Sequence, residues 1–491
     1  MDSVNKDVDF QEWTCLSQLG SGGFGIVHVW QNVKTGDKYA LKKCKFGSEI
    51  TLTARHKEAW VREVDIMLRL DHPGVVTCIK TPAGLDQGSS ELPTLCMEYC
   101  ESGDLRQELN RLKSCRGLGQ SQVLEVLNDV VSALGYLHNR RIIHRDLKPE
   151  NIVMKSTEAR TVYKLIDLGY AKELGVSSMA RSFVGTLQYV APELFLEHDY
   201  TKSVDYWSLG LLAHEIVTGQ RPFLPNMSPG HWIDHVESKK YEDISVVQDI
   251  TGDIRYLTTL SAETRVCPPL SRMMEEWLRS LLDWRPATRG RDSDHNVIVF
   301  SKLNTILTQQ WISVFNMHSV NIMHFSVHQC PTIESLRPIL AKILGVSLEN
   351  LLILSTHGSV ITDDIKTIEI VQQSSINTSN KPQLYLFSTV SSSIGKMINI
   401  PHLVKVALTD TKKSLSDYHQ KKMFIQGYHF ITEHHELVSC LMSSVTVLAN
   451  FLVSKLNSAK GELSKLVPSM NVMEAKHEMF KQCFQVSLWF T

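Results

Sequence analysis

The sequence has almost no net charge and no cysteine pattern of a disulfide or zinc framework. Its 51 Lys and Arg residues nearly balance its 52 Asp and Glu residues, for a formal net charge of −1. No global field therefore favours a nucleic acid or an anionic membrane as a partner. The ten cysteines are scattered and form no C-x-x-C pair, so we expect reduced thiols and a cytoplasmic protein.

Targeting segments and long apolar runs are also scarce. The first ten residues, MDSVNKDVDF, are polar and acidic, which argues against a signal peptide there. Residues 437–454 carry no charge and approach the length of a membrane span. Ser, Thr and Asn residues interrupt this stretch at six positions. A helix packed against protein is therefore the favoured interpretation, and no membrane partner is expected.

The chain is long enough for about three domains, with 491 residues of which 43% are apolar and 21% charged. Residues 13–300 begin with strand-like segments, continue with an amphipathic helix and end in mainly helical patterns. This order predicts an α+β fold in which a small strand-rich lobe precedes a larger helical lobe.

The pattern changes over residues 308–390. The segments NIMHFSVHQ, NLLILSTHGSVI and QLYLFS are strand-like, and TIESLRPILAKILGVS is helix-like. Pro338 is an awkward residue for the interior of that helix unless it falls in the first turn, where its missing N–H does no harm. The arrangement predicts a small grasp-type module of strands around one helix.

Residues 403–491 are expected to be helical. Apolar residues recur there at alternating steps of three and four, a heptad-like pattern. Two interpretations stay open, namely a dimerisation or scaffold helix and a helix packed on its own chain. The positions are Leu441, Val445, Leu448, Leu452, Leu456, Ala459, Leu463 and Leu466.

A glycine-rich segment lies near the start of the strand-rich region. Gly20, Gly22, Gly25 and Val27 form the pattern G-x-G-x-x-G-x-V. Glycines allow the backbone to approach phosphate groups without a Cβ clash. Alone the pattern is weak, because a glycine-rich hairpin is often only a turn.

A lysine follows the glycines at the distance expected for nucleotide binding. Lys42 in the segment YALK is a candidate to hold the α- and β-phosphates of ATP, although a solvated surface lysine is the usual alternative. Glu63, in the helix that follows, is the expected ion-pair partner of Lys42.

The decisive motif is HRDLKPEN, residues 144–151. Asp146 is expected to accept the proton of an attacking hydroxyl, and Lys148 to offset charge on the transferred phosphoryl group. Asn151 and Asp167, the latter in the segment DLG, are candidate Mg²⁺ ligands. The segments APE and DYWSLG follow in order, and a chance match to the whole set is negligible.

These motifs resemble the eukaryotic protein kinase family over residues 13–300, in its serine/threonine branch. The segments IDLGYAKEL, GTLQYVAPEL, MEYCESGDLR and RPFLPN closely resemble the catalytic subunits of the IκB kinases. The order of kinase domain, ubiquitin-like module and helical scaffold is similar too. The resemblance implies ATP and Mg²⁺ as cofactors. It also implies ATP contacts from Leu19, a gatekeeper role for Met97, and adenine contacts from the backbone of Glu98 and Cys100.

The resemblance also implies partners. It implies a serine-containing protein substrate of the IκB type, an upstream activating kinase, another IκB kinase subunit as a homo- or heterodimer partner, and a regulatory subunit. The sequence departs from the family at Ala180, where members carry Cys, and its helical scaffold is shorter, without the C-terminal tail. We therefore expect a monomer or weak dimer, and capture of the regulatory subunit is in doubt.

Two serines stand between DLGYAK and APE. Ser178 and Ser182 match the paired activation serines of that family. A phosphate adds about −1.5 to −2 charge, so phosphoserine is expected to pair with Arg145 and order the segment. The alternative is that two exposed serines have no role.

Two other functions compete with an active kinase. A pseudokinase scaffold would act only through its ubiquitin-like and helical regions, but Lys42, Asp146, Asn151 and Asp167 are all present, which argues against it. A truncated isoform would keep catalysis and fail to assemble.

Overall fold

The computed structural model describes residues 12–21, 25–44, 54–82, 85, 92–168, 186–195, 200–225, 227, 229–249, 252–261, 263–374, 382–390, 405 and 417–489. The chain divides into two compact units. The first comprises Met1–Thr308 with Ser414–Ile425, and the second comprises Gln309–Lys413 with Gln426–Thr491.

The first unit begins with a five-stranded antiparallel sheet in the order β1-β2-β3-β5-β4. Helix α1 follows β3 and buries Trp60, Val64 and Met67, as the apolar spacing predicts. The elements are β1 (Trp13–Ser21), β2 (Gly25–Asn32), β3 (Lys38–Cys44), α1 (Ala54–Met67), β4 (Cys78–Ile79) and β5 (Leu95–Glu98).

The larger part of the first unit is helical, which confirms the predicted order of a strand-rich part before a helical one. Its centre is α5, which is mainly apolar and almost entirely buried, including its polar residues Asp205, His214 and Glu215. The helices are α2 (Leu105–Leu109), α3 (Gln120–Asn139), α4 (Pro192–Phe195), α5 (Ser203–Thr218), α6 (Pro229–Glu237), α7 (Pro268–Leu281) and α8 (Val299–Thr308). Two hairpins pair β6 (Ile152–Ser156) with β7 (Thr161–Leu165), and β8 (Ser245–Gln248) with β9 (Ile254–Leu257).

The second unit contains a mixed four-stranded sheet. The order is β11-β10-β13-β12, and the central strands β10 and β13 run parallel. Helix α9 packs its buried residues against apolar side chains of the sheet. The elements are β10 (Trp311–Asn316), β11 (Asn321–Ser326), α9 (Ile333–Leu344), β12 (Leu351–Ser355), α10 (Thr367–Ser374) and β13 (Leu384–Ser388).

Pro338 does not fall in the first turn of its helix, so it is the awkward interior residue that the sequence suggested. Helix α9 begins at Ile333, so Pro338 lies in its interior and removes one backbone hydrogen bond. A capping box between Thr332 and Ser335 holds the helix start. Burial of Leu336 and Leu340 on either side of the proline holds the helix to the sheet.

Helix α11 runs from Asp417 to Trp489. Within the second unit, its residues Cys440 and Val447 pack against the sheet beside Phe315 and Tyr385. Of the predicted apolar series, two members join this contact and six are exposed. The two are Leu441 and Leu448, and the six are Val445, Leu452, Leu456, Ala459, Leu463 and Leu466.

Packing on the same chain thus accounts for the start of the apolar series.

The segment Met423–Met479 is long and apolar enough to cross a bilayer, and only 17% of its most apolar 18-residue stretch is buried. One such helix is weak evidence for a membrane, because the core helix of a soluble protein meets the same criterion.

Candidate active site

The described glycines of the glycine-rich segment lie at the facing ends of two strands, Gly20 in β1 and Gly25 at the start of β2. Gly20 lies opposite Val27 in the antiparallel register, and Leu19 is half exposed on β1. A Cβ at Gly25 would lie 3.1 Å from the Lys43 carbonyl oxygen and 3.4 Å from the Lys42 side chain. Glycine at this position therefore keeps space open beside Lys42. Gly22 lies outside the described residues.

Lys42 bridges two carboxylates from distant parts of the sequence. Its Nζ lies 2.9 Å from Glu63 Oε1 on α1 and 2.6 Å from Asp167 Oδ1 after β7. Burial opposes the charge on Lys42, but the Asp167 and Glu63 carboxylates outweigh it and raise the pKa of the ammonium group. Burial raises the pKa of Glu63 above its ordinary value against the pull of Lys42. The lysine is thus held in place, charged, at the edge of the small lobe.

The catalytic-loop residues converge around Asp146, which is almost completely buried. Lys148 Nζ lies 3.1 Å from Asp146 Oδ2. Asn151 Nδ2 donates to the Asp146 carboxylate at 2.6 Å and to its carbonyl oxygen at 2.7 Å. Since the amide nitrogen of Asn151 faces Asp146, its amide oxygen is the group suited to a metal ion.

A buried carboxylate on α5 supports this loop. Asp205 accepts hydrogen bonds from the backbone N–H groups of His144 and Arg145 at 2.9 and 2.8 Å, and its Oδ2 lies 2.8 Å from His138 Nε2. Complete burial alone would raise the pKa of Asp205, but the hydrogen bond from His138 and neighbouring donors lower it. Arg145 and Asp167 both adopt positive φ, at 65° and 64°. Arg145 is therefore held in a backbone conformation that costs energy, and the hydrogen bond from its N–H to Asp205 helps to offset that cost.

A protein kinase domain model matches residues 13–312. The chain belongs to the protein kinase family. The predicted resemblance to this family is confirmed, and membership implies the use of ATP and a divalent metal ion that the family shares.

The resemblance to the IκB kinases is also confirmed. The chain is 36% identical over 486 residues to "Inhibitor of nuclear factor kappa-B kinase subunit beta" of Bos taurus, covering 97% of the chain and 64% of that relative. It is 34% identical over 481 residues to the corresponding alpha subunit of Xenopus laevis, covering 97% of the chain and 64% of that relative. The chain therefore spans less than two thirds of the length of these relatives. The family match and these similarities show a protein kinase domain in a chain that is similar to IκB kinase subunits along nearly its whole length.

More distant kinases match a shorter part of the chain. Myosin light chain kinase A of Dictyostelium discoideum is 31% identical over 235 residues, which is 47% of this chain and 72% of that relative. The similarity to the IκB kinase subunits, in contrast, continues beyond the kinase domain.

The hinge of this kinase follows strand β5. Met97 is buried between Ala40 and Cys78 on the neighbouring strands. The Glu98 N–H donates to the Thr77 carbonyl oxygen at 2.9 Å, so the backbone group of Glu98 left for the expected adenine contact is its carbonyl oxygen. Cys100 is partly buried, and burial raises the pKa of its thiol to about 11.

The Glu98 side chain has a further role that the sequence analysis missed. Its carboxylate binds Lys155 Nζ at 2.6 Å and Lys164 Nζ at 2.7 Å, on strands β6 and β7 of the larger lobe. Burial would raise the pKa of Glu98, but hydrogen bonds from the two lysines lower it to about 2. This contact ties the hinge to the helical lobe.

The kinase site fits ATP and a divalent cation. Asp167 and Asn151 offer the hard oxygen ligands that Mg²⁺ prefers, and Lys42 offers a fixed positive charge for phosphate. The absence of a side chain at Gly25 leaves room beside that charge. These residues come from four separate segments of the sequence.

The predicted switch residues Ser178 and Ser182 lie outside the described residues. Arg145, the residue expected to pair with the phosphoserines, is described, and its guanidinium group lies 5.2 Å from the centre of the Tyr200 ring. This distance is short enough for a cation–π contact. Arg145 is therefore held over an aromatic ring on the segment that follows APE.

The sequence analysis also missed an ion pair formed by the glutamate of the APE motif. Glu193 binds Arg289 with both side chains buried, at 2.6 Å between Arg289 Nη1 and Glu193 Oε1. The partners are 96 residues apart, and no local pattern in the sequence points from one to the other.

Proposed function

We propose that the chain transfers the γ-phosphate of ATP to serine residues of IκB-type inhibitor proteins and thereby activates NF-κB-type signalling. The observation that supports phosphate transfer most directly is that Asp146 contacts both Lys148 and Asn151 in one hydrogen-bonded cluster. The similarity to IκB kinase subunits over 97% of the chain supports the substrate class.

The proposed chemistry begins with the substrate hydroxyl. Asp146 accepts the proton of the serine hydroxyl while the serine oxygen forms a bond to the γ-phosphorus. The bond between the γ-phosphorus and the β,γ-bridging oxygen breaks at the same time, and ADP is released. Lys148, already 3.1 Å from Asp146, offsets charge on the transferred group. No covalent enzyme intermediate is needed.

The other residues position ATP. Glu63 holds Lys42 so that the Lys42 ammonium group reaches the α- and β-phosphates, and the backbone at Gly20 and Gly25 approaches these phosphates closely. Asn151 and Asp167 would hold Mg²⁺, which neutralises charge on the phosphates when bound.

We also infer that the second unit contains a ubiquitin-like module. Its strand order, the parallel central pair and the packing of helix α9 on the sheet support a β-grasp fold. A role in positioning substrate, pairing with another IκB kinase subunit, activation by an upstream kinase and a cytoplasmic location belong to the same proposal.

A phosphate-transfer assay tests the proposal. The purified chain is incubated with γ-labelled ATP and an IκB-type serine peptide, with the Ser→Ala peptide as control. Asp146→Asn should bind ATP normally while phosphate transfer falls by roughly 10²–10⁴, the scale of a lost general base. Turnover of the Asp146→Asn variant at the wild-type rate would contradict the assignment. An intact chain that labels no serine peptide would favour the pseudokinase scaffold.

A further inference from the structure

The loop between α2 and α3, residues 110–119, is held firmly against the end of α5. Leu118 is fully buried, and its N–H donates to the Ile216 carbonyl oxygen at 2.7 Å. A Cβ at Gly117 would overlap the Val217 carbonyl group, so only glycine allows the loop to approach α5 this closely. The loop is therefore a fixed part of the surface of the larger lobe.

This loop carries two basic side chains that share one buried carboxylate. Arg111 Nη1 lies 2.7 Å from Glu108 Oε2, and Lys113 Nζ lies 2.9 Å from Glu108 Oε1. The Glu108 side chain is only 5% exposed, whereas those of Arg111 and Lys113 are 57% and 55% exposed. Both cations therefore face solvent, and each has N–H donors beyond the one that Glu108 accepts.

A third cation joins them from a distant part of the sequence. Arg265 Nη1 donates to the Lys113 carbonyl oxygen at 3.4 Å, and a Cβ at Gly119 would lie 3.7 Å from Arg265 Nη2. Within the described part of the chain, the Arg265 guanidinium contacts no carboxylate. Three cations and one carboxylate give this part of the surface a net charge of about +2.

An exposed leucine lies between the two basic residues of the loop. Leu112 opens the short helical turn Leu112–Ser114 and is 61% exposed. Burying this side chain against a partner would be favourable, because apolar surface would leave water. A nucleic acid backbone or a small polyanion offers charge but no apolar group for Leu112. The surface therefore fits a protein segment that carries acidic and apolar side chains together.

We propose that Arg111, Leu112, Lys113 and Arg265 form a docking surface, the basic loop surface, for an acidic protein segment with apolar residues among its carboxylates. The three cations attract the carboxylates and make the encounter fast and sensitive to salt. Leu112 packs against an apolar side chain of the partner. This docking goes beyond the proposed phosphate transfer and does not depend on it.

A fluorescent peptide measures the docking directly. The probe is a short peptide of Asp and Glu with two central Leu residues, and it contains no Ser, Thr or Tyr that a kinase could phosphorylate. Fluorescence anisotropy with the full chain should show saturable binding. The affinity should fall several-fold between about 50 and about 500 mM sodium chloride, because salt screens exposed charges. A chain that does not bind the probe at submillimolar protein overturns the proposal.

Substitutions of the cations locate the binding. Arg265→Ala should weaken probe binding by about fivefold, the upper range for an exposed ion pair. Lys113→Ala should weaken it by a similar factor, and Arg111 keeps its contact with Glu108 in that variant. Arg69→Ala is the matched control, because Arg69 lies on α1 and is 74% exposed. Equal losses in Arg69→Ala and Arg265→Ala overturn the proposal, since they would report only the change in net charge.

Leu112→Ser tests the apolar contact. It should weaken binding of the probe by about tenfold, the scale for burying a large apolar side chain. The same variant should bind a second probe, with Ala in place of both Leu residues, like the wild-type chain. Val33→Ser is the matched control at a 64% exposed position. Equal losses for the two probes in Leu112→Ser would show that Leu112 does not contact the apolar residues, which overturns the proposal.

Two further comparisons separate this docking from other activities. An oligothymidylate that displaces the probe equally well from the wild-type and Leu112→Ser chains would show a general polyanion site and overturn the proposal. A wild-type chain that binds the probe through the basic loop surface but phosphorylates no serine peptide would refute the proposed function alone. An active kinase that does not bind the probe would refute the docking alone.

Discussion

Glu193 and Arg289 form an ion pair in which Arg289 is fully buried and only 3% of Glu193 is exposed. Arg289 also donates to the carbonyl oxygens of Asp283 and Trp284. Burial lowers the pKa of Arg289, and the bond to Glu193 works against that shift. The pair fixes the start of α4, and with it the APE motif, to the end of the kinase domain.

Breaking this pair should destabilise the kinase domain strongly. Arg289→Met leaves the Glu193 carboxylate buried without its partner, which costs about 3–5 kcal/mol. Urea unfolding measures the loss. The double variant with Glu193→Gln should recover part of it, since no unpaired charge remains. Additive losses in the double variant would show that the two side chains do not act as a pair.

Lys42 should be required for ATP binding, and Glu63 should matter less. Lys42→Met removes a charge-assisted contact worth about 1.5–3 kcal/mol, so ATP affinity should fall by roughly tenfold to a hundredfold. Glu63→Gln keeps a hydrogen-bonding group beside Lys42 and should weaken ATP binding by a smaller factor. Isothermal titration calorimetry measures both.

The neighbouring lysine supplies a matched control. Lys43 lies over the Trp30 ring at 5.9 Å, on the same strand but with a different partner. Lys43→Met should bind ATP like the wild-type chain. An equal loss in both lysine variants would contradict a specific role for Lys42.

Ser178 and Ser182 should be the activating phosphorylation sites. Replacing both with Ala should leave ATP binding intact and abolish activation by an upstream kinase, because no phosphate then pairs with Arg145. Replacing both with Glu should restore part of the activity, since a carboxylate carries less charge than a phosphate. Ser177→Ala is the adjacent control and should activate normally. Mass spectrometry after activation locates the phosphate, and its presence only on Ser177 or Thr186 would refute the assignment.

His214 should make the kinase domain sensitive to acid. Its ring is buried, and burial lowers its pKa to about 4. The unfolded chain therefore binds a proton near the ordinary value of about 6.5 while the folded chain does not, so stability falls as pH drops from 6.5 to 4. The His214 contribution between pH 7 and pH 5 is about 2 kcal/mol, at 1.36 kcal/mol for each pH unit below 6.5.

Urea unfolding at the two pH values tests the His214 prediction. The His214→Gln variant should lose less stability than the wild-type chain on going from pH 7 to pH 5. His231→Gln, at an exposed position, should behave like the wild-type chain. Identical pH dependence in the wild-type chain and the His214→Gln variant would show that His214 does not carry the effect.

Gly358 should be required for packing of helix α11 in the second unit. A Cβ there would lie 2.7 Å from the Val447 carbonyl oxygen and 3.0 Å from Asn450 Cβ, and the backbone has a φ of +86°. Gly358→Ala should therefore cost about 1–3 kcal/mol from overpacking and a further amount from backbone strain.

Gly345 separates the two causes. It has a φ of +67° with nothing within 4 Å of an added Cβ, so Gly345→Ala should show the backbone effect alone. Hydrogen exchange of the helix around Val447 should quicken in Gly358→Ala and not in Gly345→Ala. Equal exchange in the two variants would argue against a tight contact at Gly358.

The sequence alone determined the chemistry of the kinase site. Lys42, Glu63, Asp146, Asn151 and Asp167 stand in short motifs whose residue types and order depend on the reaction. Motifs of this kind are local, so they can be recognised without knowing which segments meet. The structure then placed Lys42 against both Glu63 and Asp167, a second contact that the motifs had not predicted.

Only the tertiary structure decided which distant charges pair and which apolar faces are covered. Arg106 reaches Glu215 across 109 residues, and nothing near either residue marks the other. The apolar spacing of α11 predicted an apolar face and left open what covers it, and in the structure Leu441 and Leu448 pack on the sheet while Leu456 and Leu463 are exposed. Periodicity reports that a helix has an apolar face, but what covers that face depends on long-range packing, which the local pattern does not contain.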